Sequence, residues 1–84
     1  MNDNNLICKI YFYDIEQNKS MKIFGVVNKN QLFSPLKDFI ELKNYGKKVI
    51  LKKDLENVIL YENQREFNLT ENILKVEDRT KIEG

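Results

Sequence analysis

Two stretches of alternating residues constrain the fold of this chain more than any other feature. From Leu6 to Tyr13 apolar residues recur at every second position, and from Met21 to Val27 an apolar, β-branched pattern resumes. A period of two is typical of a strand that has one face on a hydrophobic core. The residues between the two stretches, "DIEQNKS" from Asp14, are polar and turn-prone. The pattern therefore predicts an antiparallel β-hairpin.

The segment after the hairpin changes period and predicts one helix. Ser34 fits an N-cap, whose hydroxyl accepts from a free amide, and Pro35 fits the first helical position, which needs no amide donor. Gly46 fits the left-handed residue that ends a helix. We expect an amphipathic helix over about Ser34 to Tyr45 that packs on a sheet. The apolar residues that recur at three- and four-residue spacing are Phe33, Leu36, Phe39 and Ile40.

The remainder of the chain predicts short strands and completes a fold class. Val49 to Lys52 and Val58 to Glu62 have strand patterns, and Ile73, Leu74 and Val76 mark a last strand. The predicted order is ββαββ(β), an α+β fold that matches the β-grasp architecture. In that architecture the hairpin and the final strand share one mixed sheet, and the helix packs on its concave face. We expect a single domain over residues 1–84, with a flexible carboxyl-terminal tail from about residue 77.

Composition excludes several classes of partner. The chain has 14 Lys and Arg against 13 Asp and Glu, a net charge of +1, which offers no basic field for nucleic acid. Its longest apolar runs, such as Val58 to Tyr61, are too short to cross a bilayer, and its amino terminus lacks the pattern of a signal peptide. We expect a monomer with no nucleic-acid or membrane partner, in the cytoplasm and also in the nucleus.

The residues of common active sites are missing. The sequence has no histidine, and its three glycines are scattered. Its one cysteine, Cys8, falls in a strand pattern, which predicts a core residue rather than a nucleophile. We expect no enzyme, no catalytic residue, no metal and no cofactor. A group of basic residues is predicted to be a solvated surface, namely Lys47, Lys48, Lys52 and Lys53.

Collinear segments of the chain resemble the ubiquitin-like proteins, and most of all the ubiquitin-fold modifier of the ufmylation pathway. The first two strands of that family resemble "CKIYFYD" from Cys8 and "MKIFGVV" from Met21, and its helix resembles "LFSPLKDFIELKNYG" from Leu32. Its third strand resembles "VILKKD" from Val49. Its carboxyl end, a basic strand followed by an Arg-Asp-Arg tail and a single glycine, resembles "LKVEDRTKIEG" from Leu74.

The resemblance implies that the chain is a modifier and a substrate rather than a catalyst. An activating enzyme would adenylate Gly84 and pass it to a conjugating enzyme, and a ligase would direct it to a lysine of a target protein. The position similar to the chain-forming lysine of the family is Thr70, with Lys75 nearby. The residues that would present the tail to these enzymes are Arg79, Lys81, Ile82 and Glu83.

A second predicted surface is the edge of the strand that begins at Met21. Either Met21, Ile23 and Val27 or the alternate residues point inward, which leaves the other set exposed. An extended peptide could add to this edge as a further strand, with a specificity pocket near the helix. The expected contact residues are Lys22, Ile23, Phe24 and Val26, with Ile23 and Phe24 as anchors.

Two other functions remain open from the sequence. One is a ubiquitin-like interaction module that is not conjugated, such as a small subunit or a viral or phage inhibitor. The other is a sulfur carrier with a terminal thiocarboxylate. Carriers of that kind end in two glycines, so Glu83 before Gly84 argues against it.

Overall fold

The computed structural model describes residues 4–46 and 48–73. These residues form an α+β body with one five-residue helix and two antiparallel sheets. In chain order the elements are β1 (Asn5–Asp14), β2 (Lys19–Asn28), α1 (Lys29–Phe33), β3 (Phe39–Leu42), β4 (Lys48–Leu51), β5 (Leu55–Glu62) and β6 (Arg65–Asn68), with single 3-10 turns at Lys43–Tyr45, Lys52–Asp54 and Thr70–Asn72.

The first two strands form the predicted hairpin. Their register runs without interruption from Asn5 opposite Asn28 to Asp14 opposite Lys19. The alternation read from the sequence gives β1 one buried side, which carries Cys8, Ile10 and Phe12.

The second neighbour of β1 in the sheet is β5, which is distant from it in the sequence. It pairs antiparallel with β1, with Cys8 opposite Leu60 and Ile10 opposite Val58, and the register shifts once between Tyr11 and Phe12. The larger sheet therefore has the order β2-β1-β5-β6. Every strand pair in the described part of the chain is antiparallel, so the predicted mixed sheet is not seen there.

The prediction of a helix over Ser34 to Tyr45 is wrong. The helix lies earlier, at Lys29–Phe33, where the Asn28 side chain caps it by accepting from the Gln31 amide at 3.0 Å. The predicted helical segment instead contains a turn, β3 and a 3-10 turn.

The chemistry of Ser34 and Pro35 explains the error, because the same residue pair also begins turns. The Ser34 hydroxyl accepts from the amide of Leu36, and the Ser34 carbonyl accepts from the amide of Lys37. Leu36, which the helical spacing assigned to the core, is 89% exposed. The following apolar residues have the period of a strand, with Ile40 and Leu42 buried.

The hairpin β3–β4 covers the inner face of the larger sheet, in the place where the helix was expected. Ile40, Leu42 and Ile50 join the core residues of β1 and β5 in one apolar cluster. The approach is close at Gly25 of β2, where a Cβ atom would lie 2.8 Å from a methyl carbon of Leu42. A side chain at this position would force the Leu42 side chain to shift, so glycine is favoured here by contact rather than by backbone angle.

The prediction of a solvated basic surface is wrong at Lys52. Its side chain has no exposed surface, and its Nζ donates to the carbonyl of Ser34 at 2.8 Å. Its backbone amide donates to the carbonyl of Asp38, also at 2.8 Å. Lys52 thus fastens the turn before β3 to the end of β4. Lys53 remains exposed, Lys48 is half-buried, and Lys47 lies outside the described residues.

The other predicted strands are confirmed in part. The stretch Val49 to Lys52 corresponds to β4, and Val58 to Glu62 is the second half of β5. β6 occupies residues read from the sequence as turn and connection. Ile73 is a buried core residue, and the rest of the predicted last strand lies outside the described residues.

Candidate protein-binding edge

The register of the hairpin decides which residues of β2 face the core. Ile23 lies opposite Ile10, and Met21 lies opposite Phe12, so both are on the inner face and pack against the core. Lys22 and Phe24 are on the outer face and are exposed. Ile23, expected as an anchor for a partner, is therefore separated from the other predicted contact residues.

The outer face of the larger sheet carries exposed apolar side chains in the described part of the chain. Ile7 is 54% exposed, Phe24 48% and Tyr61 45%. Lys9 lies across this face, because its Nζ is 3.2 Å from a carboxylate oxygen of Glu66 and 5.8 Å from the centre of the Phe24 ring. The ion pair and the cation–π contact link β1 to the strands at both ends of the sheet.

The edge of β2 presents main-chain groups to solvent. In a strand the amide and carbonyl of one residue point to the same side, and the side alternates along the chain. The Val26 amide donates and the Phe24 carbonyl accepts on the side away from β1. The main-chain groups of the even-numbered residues of β2 therefore point outward. At Ser20 and Lys22 these groups have no hydrogen-bond partner among residues 4–46 and 48–73.

Asn44 occupies the other part of this edge. Its Oδ1 accepts from the Val26 amide at 2.8 Å, and its Nδ2 donates to the Phe24 carbonyl at 3.1 Å. One side-chain amide therefore bonds on both sides of Gly25, as the backbone of an added parallel strand would. We call Ser20–Phe24 the open edge and Phe24–Val26 the closed edge.

Two further side chains fill gaps in strand pairing elsewhere. Gln31 of α1 accepts from the amide of Glu41 in β3 at 2.7 Å. The hydroxyl of Thr70 accepts from the amide of Val58 at 3.0 Å, just where β6 ends. Thr70, the position similar to the chain-forming lysine of the ubiquitin-like proteins, thus supplies the acceptor for a main-chain amide of β5.

Lys22 is the charged group of the open edge. Neither of the two ion pairs found in the described residues involves it, and its side chain is exposed. The neighbouring Ser20 hydroxyl donates to a carboxylate oxygen of Glu56 at 2.9 Å, while the main chain of Ser20 stays open.

A cleft next to α1 corresponds in position to the expected specificity pocket. Its cavity measures about 370 Å³. The residues that line it are all polar or charged and include Asn28, Gln31, Lys37, Glu41 and Lys43, although their carbon atoms form most of the exposed lining.

Cys8, the one cysteine of the chain, lies in the core. Cys8 is fully buried, and burial raises the pKa of its thiol from 9.0 to about 11, which makes it a poor nucleophile near neutral pH. No group of three or more potential ligands that could hold a metal occurs in the described ranges. Among the same residues, no helix has the length and hydrophobicity needed to cross a membrane.

The predicted conjugation site is not described. Gly84 and the tail residues Arg79, Lys81, Ile82 and Glu83 all lie outside residues 4–46 and 48–73, as does Lys75. Compared with known proteins, the chain matches no protein-family model, no curated protein and no solved structure. The resemblance to ubiquitin-like proteins therefore stays a prediction from the sequence.

Sequence reasoning found the edge but missed the residue that divides it. Lys22, Phe24 and Val26 were assigned to one face by alternation alone. Asn44 gave no such signal, because an asparagine two residues before a glycine is ordinary turn chemistry. Its contact with β2 depends on the position of the whole β3–β4 hairpin, which a local pattern does not contain.

Proposed function

We propose that this chain is a small protein-binding module that accepts an extended segment of a partner protein on the open edge of β2. The observation that carries the proposal is the row of outward main-chain groups at Ser20 and Lys22 that have no partner in the described part of the chain. Such an edge is a template for another strand. The exposed side chains of Lys22 and Phe24 flank it on the outer face.

The side chains of the open edge favour an acidic partner segment. In antiparallel pairing, the residue opposite Lys22 lies on the same face as Lys22, and the residue two positions earlier lies opposite Phe24. An acidic residue opposite Lys22 and an apolar residue opposite Phe24 would each stabilise the pairing by about 0.2–1 kcal/mol. A partner segment with this pattern therefore suits the edge.

The same geometry disfavours a second copy of this chain. Two β2 strands paired antiparallel about Lys22 would place the two lysines directly opposite each other, and like charges in that position are destabilising. An exposed lysine on an edge strand is a common protection against such pairing.

The first prediction tests the edge with a proline. Because the amide of Lys22 points away from β1, Lys22→Pro removes an outward donor and leaves the β1–β2 ladder intact. Peptides selected from a random seven-residue library should bind the native chain and shift the NMR amide signals of Ser20–Phe24. Lys22→Pro should weaken this binding at least about fivefold, the equivalent of one lost hydrogen bond.

Lys22→Thr is the matched control, because it also removes the charge but keeps the amide. It should retain more binding than Lys22→Pro. Equal binding by the proline and threonine variants, or signal shifts confined to another surface, would count against strand addition at this edge.

We propose conjugation through Gly84 as a second candidate function, supported by the resemblance of "LKVEDRTKIEG" to the end of ubiquitin-like modifiers. The second prediction is that a cognate activating enzyme and ATP convert the chain into a thioester that a reducing agent cleaves. Deletion of Gly84 should abolish the thioester. Equal charging of the deleted chain contradicts conjugation, whereas edge binding that survives the deletion supports the module that is not conjugated.

The β-grasp assignment belongs to this second candidate and remains a proposal. The long hairpin at the start of the chain supports it. The β-grasp form expected here also needs the last strand in a mixed sheet with that hairpin, whereas β1 already has β2 and β5 as antiparallel neighbours. Edge binding does not depend on this assignment, because the open edge belongs to β2 alone.

A further inference from the structure

The β2 edge is divided by one side chain that comes from a different part of the fold. Asn44 lies in the 3-10 turn Lys43–Tyr45, which joins β3 to β4, and the turn ends at Gly46 with φ of 59°. The turn has no side-chain cap of its own, so the Asn44 amide is not used within it. Both polar ends of that amide bond to β2 instead.

The position of Asn44 follows from the packing beneath it. Because Gly25 has no Cβ atom, the Leu42 side chain can approach β2 closely. Leu42 ends β3, and Asn44 follows two residues later. The contact that brings the hairpin onto the core therefore also brings the Asn44 amide to the strand edge, where it bonds on both sides of the same glycine.

We propose that Asn44 is a stop that closes the β2 edge beyond Phe24 and so fixes the register and length of any strand that pairs there. This inference rests on the proposed edge binding. A bound segment pairs fully with Ser20 and Lys22 and ends opposite Phe24, whose carbonyl is already occupied. The partner it fits is a short extended segment of about five residues with an acidic residue at its centre, opposite Lys22.

The third prediction tests the Asn44 stop by amide hydrogen exchange, without any ligand. In Asn44→Ala the Val26 amide loses its acceptor, so its hydrogen exchange should become about fivefold faster or more, while exchange at Ile10 in the sheet centre stays unchanged. Asn44→Asp keeps an acceptor for Val26 and should preserve its protection. Asn30→Ala, at an exposed asparagine in α1, is the matched control and should leave Val26 unaffected. Unchanged exchange at Val26 in Asn44→Ala would overturn the proposal.

Peptides of two lengths test the stop during binding. The probes are acetylated and amidated peptides of five and nine residues that alternate threonine and valine around a central glutamate. The nine-residue peptide is long enough to reach Val26. The native chain should bind both within about twofold, whereas Asn44→Ala should bind the longer one about fivefold more tightly, because two main-chain groups become free.

The outcomes separate the stop from edge binding itself. If the native chain binds the longer peptide more tightly and the Val26 signal shifts, edge binding stands and the stop is overturned. If only Asn44→Ala binds a peptide at this edge, the stop is supported and edge binding by the native chain fails. If no form binds either peptide, both proposals are overturned.

Discussion

At the scale of single residues, Lys52 shows what a charge count misses. A lysine between an apolar strand and an aspartate reads as surface, and its neighbour Lys53 is indeed exposed. The backbone decides the difference. The Ser34 carbonyl accepts from the Lys37 amide at 3.2 Å within the turn and from the long side chain of Lys52 at 2.8 Å. A buried carbonyl needs a donor, so the charge is held inside by hydrogen bonding.

The fourth prediction concerns this residue. Lys52→Met keeps the apolar stem but removes the charged donor and leaves the Ser34 carbonyl with the Lys37 amide alone, so the free energy of unfolding should fall by about 1–3 kcal/mol. Urea denaturation followed by circular dichroism measures the loss. Lys53→Met, the adjacent control, removes an exposed lysine 3.5 Å from Asp54 and should change stability by less than about 1 kcal/mol. A Lys52→Met chain as stable as the native one would contradict this role.

At the scale of elements, local patterns predict this chain only where they are long. The patterns from Leu6 to Tyr13 and from Met21 to Val27 were sufficient to predict β1 and β2, and the short connection between them was sufficient to predict their antiparallel pairing. β3 has only four residues, too few to separate a period of two from helical spacing. The capping signals of Ser34 and Pro35 then favoured the wrong choice. Asn28, which does cap a helix, precedes only a five-residue helix and gave no comparable apolar stripe.

The fifth prediction concerns the β5–β6 hairpin. Both residues of its turn, Asn63 and Gln64, have positive φ, at 52° and 63°. Asparagine tolerates this region, but glutamine is strained in it, and the preferred second residue of such a turn is glycine. Gln64→Gly should therefore raise the free energy of unfolding by about 0.5–1 kcal/mol.

Gln17 provides the control for this prediction. It lies in the β1–β2 turn, and its φ is not positive. Gln17→Gly should be neutral or destabilising, because glycine there adds freedom to the unfolded chain without relieving strain. Thermal unfolding of the two variants side by side compares them, and equal effects would show that the turn geometry is not responsible.

At the scale of the whole molecule, the fold class was predictable and the arrangement was not. Composition and the first hairpin indicate a small body built on an antiparallel sheet, whereas the helical part of the predicted α+β class depended on a helix over Ser34 to Tyr45 that is not formed. They do not indicate that β5 rather than the last strand lies beside β1, or that β3–β4 rather than a helix covers the inner face. Those choices depend on contacts between distant segments, such as Leu42 with Gly25. The edge of β2 was expected because the second strand ends the sheet in the predicted architecture, and β2 does lie at the end of the larger sheet. The limit of that edge at Asn44 depends on the same distant contact.

The pairing of β1 with β5 also determines how long β1 lacks its second neighbour while the chain is synthesised. A hairpin of β1 and β2 forms within about 1–10 μs of its synthesis. Leu60, which pairs with Cys8, is synthesised 32 residues after Asn28 completes β2 (60 − 28), which takes roughly 2–6 s at about 5–20 residues per second. Until Leu60 is made, the edge of β1 that pairs with β5 has no partner, and an unpaired strand edge is a template on which another chain can pair.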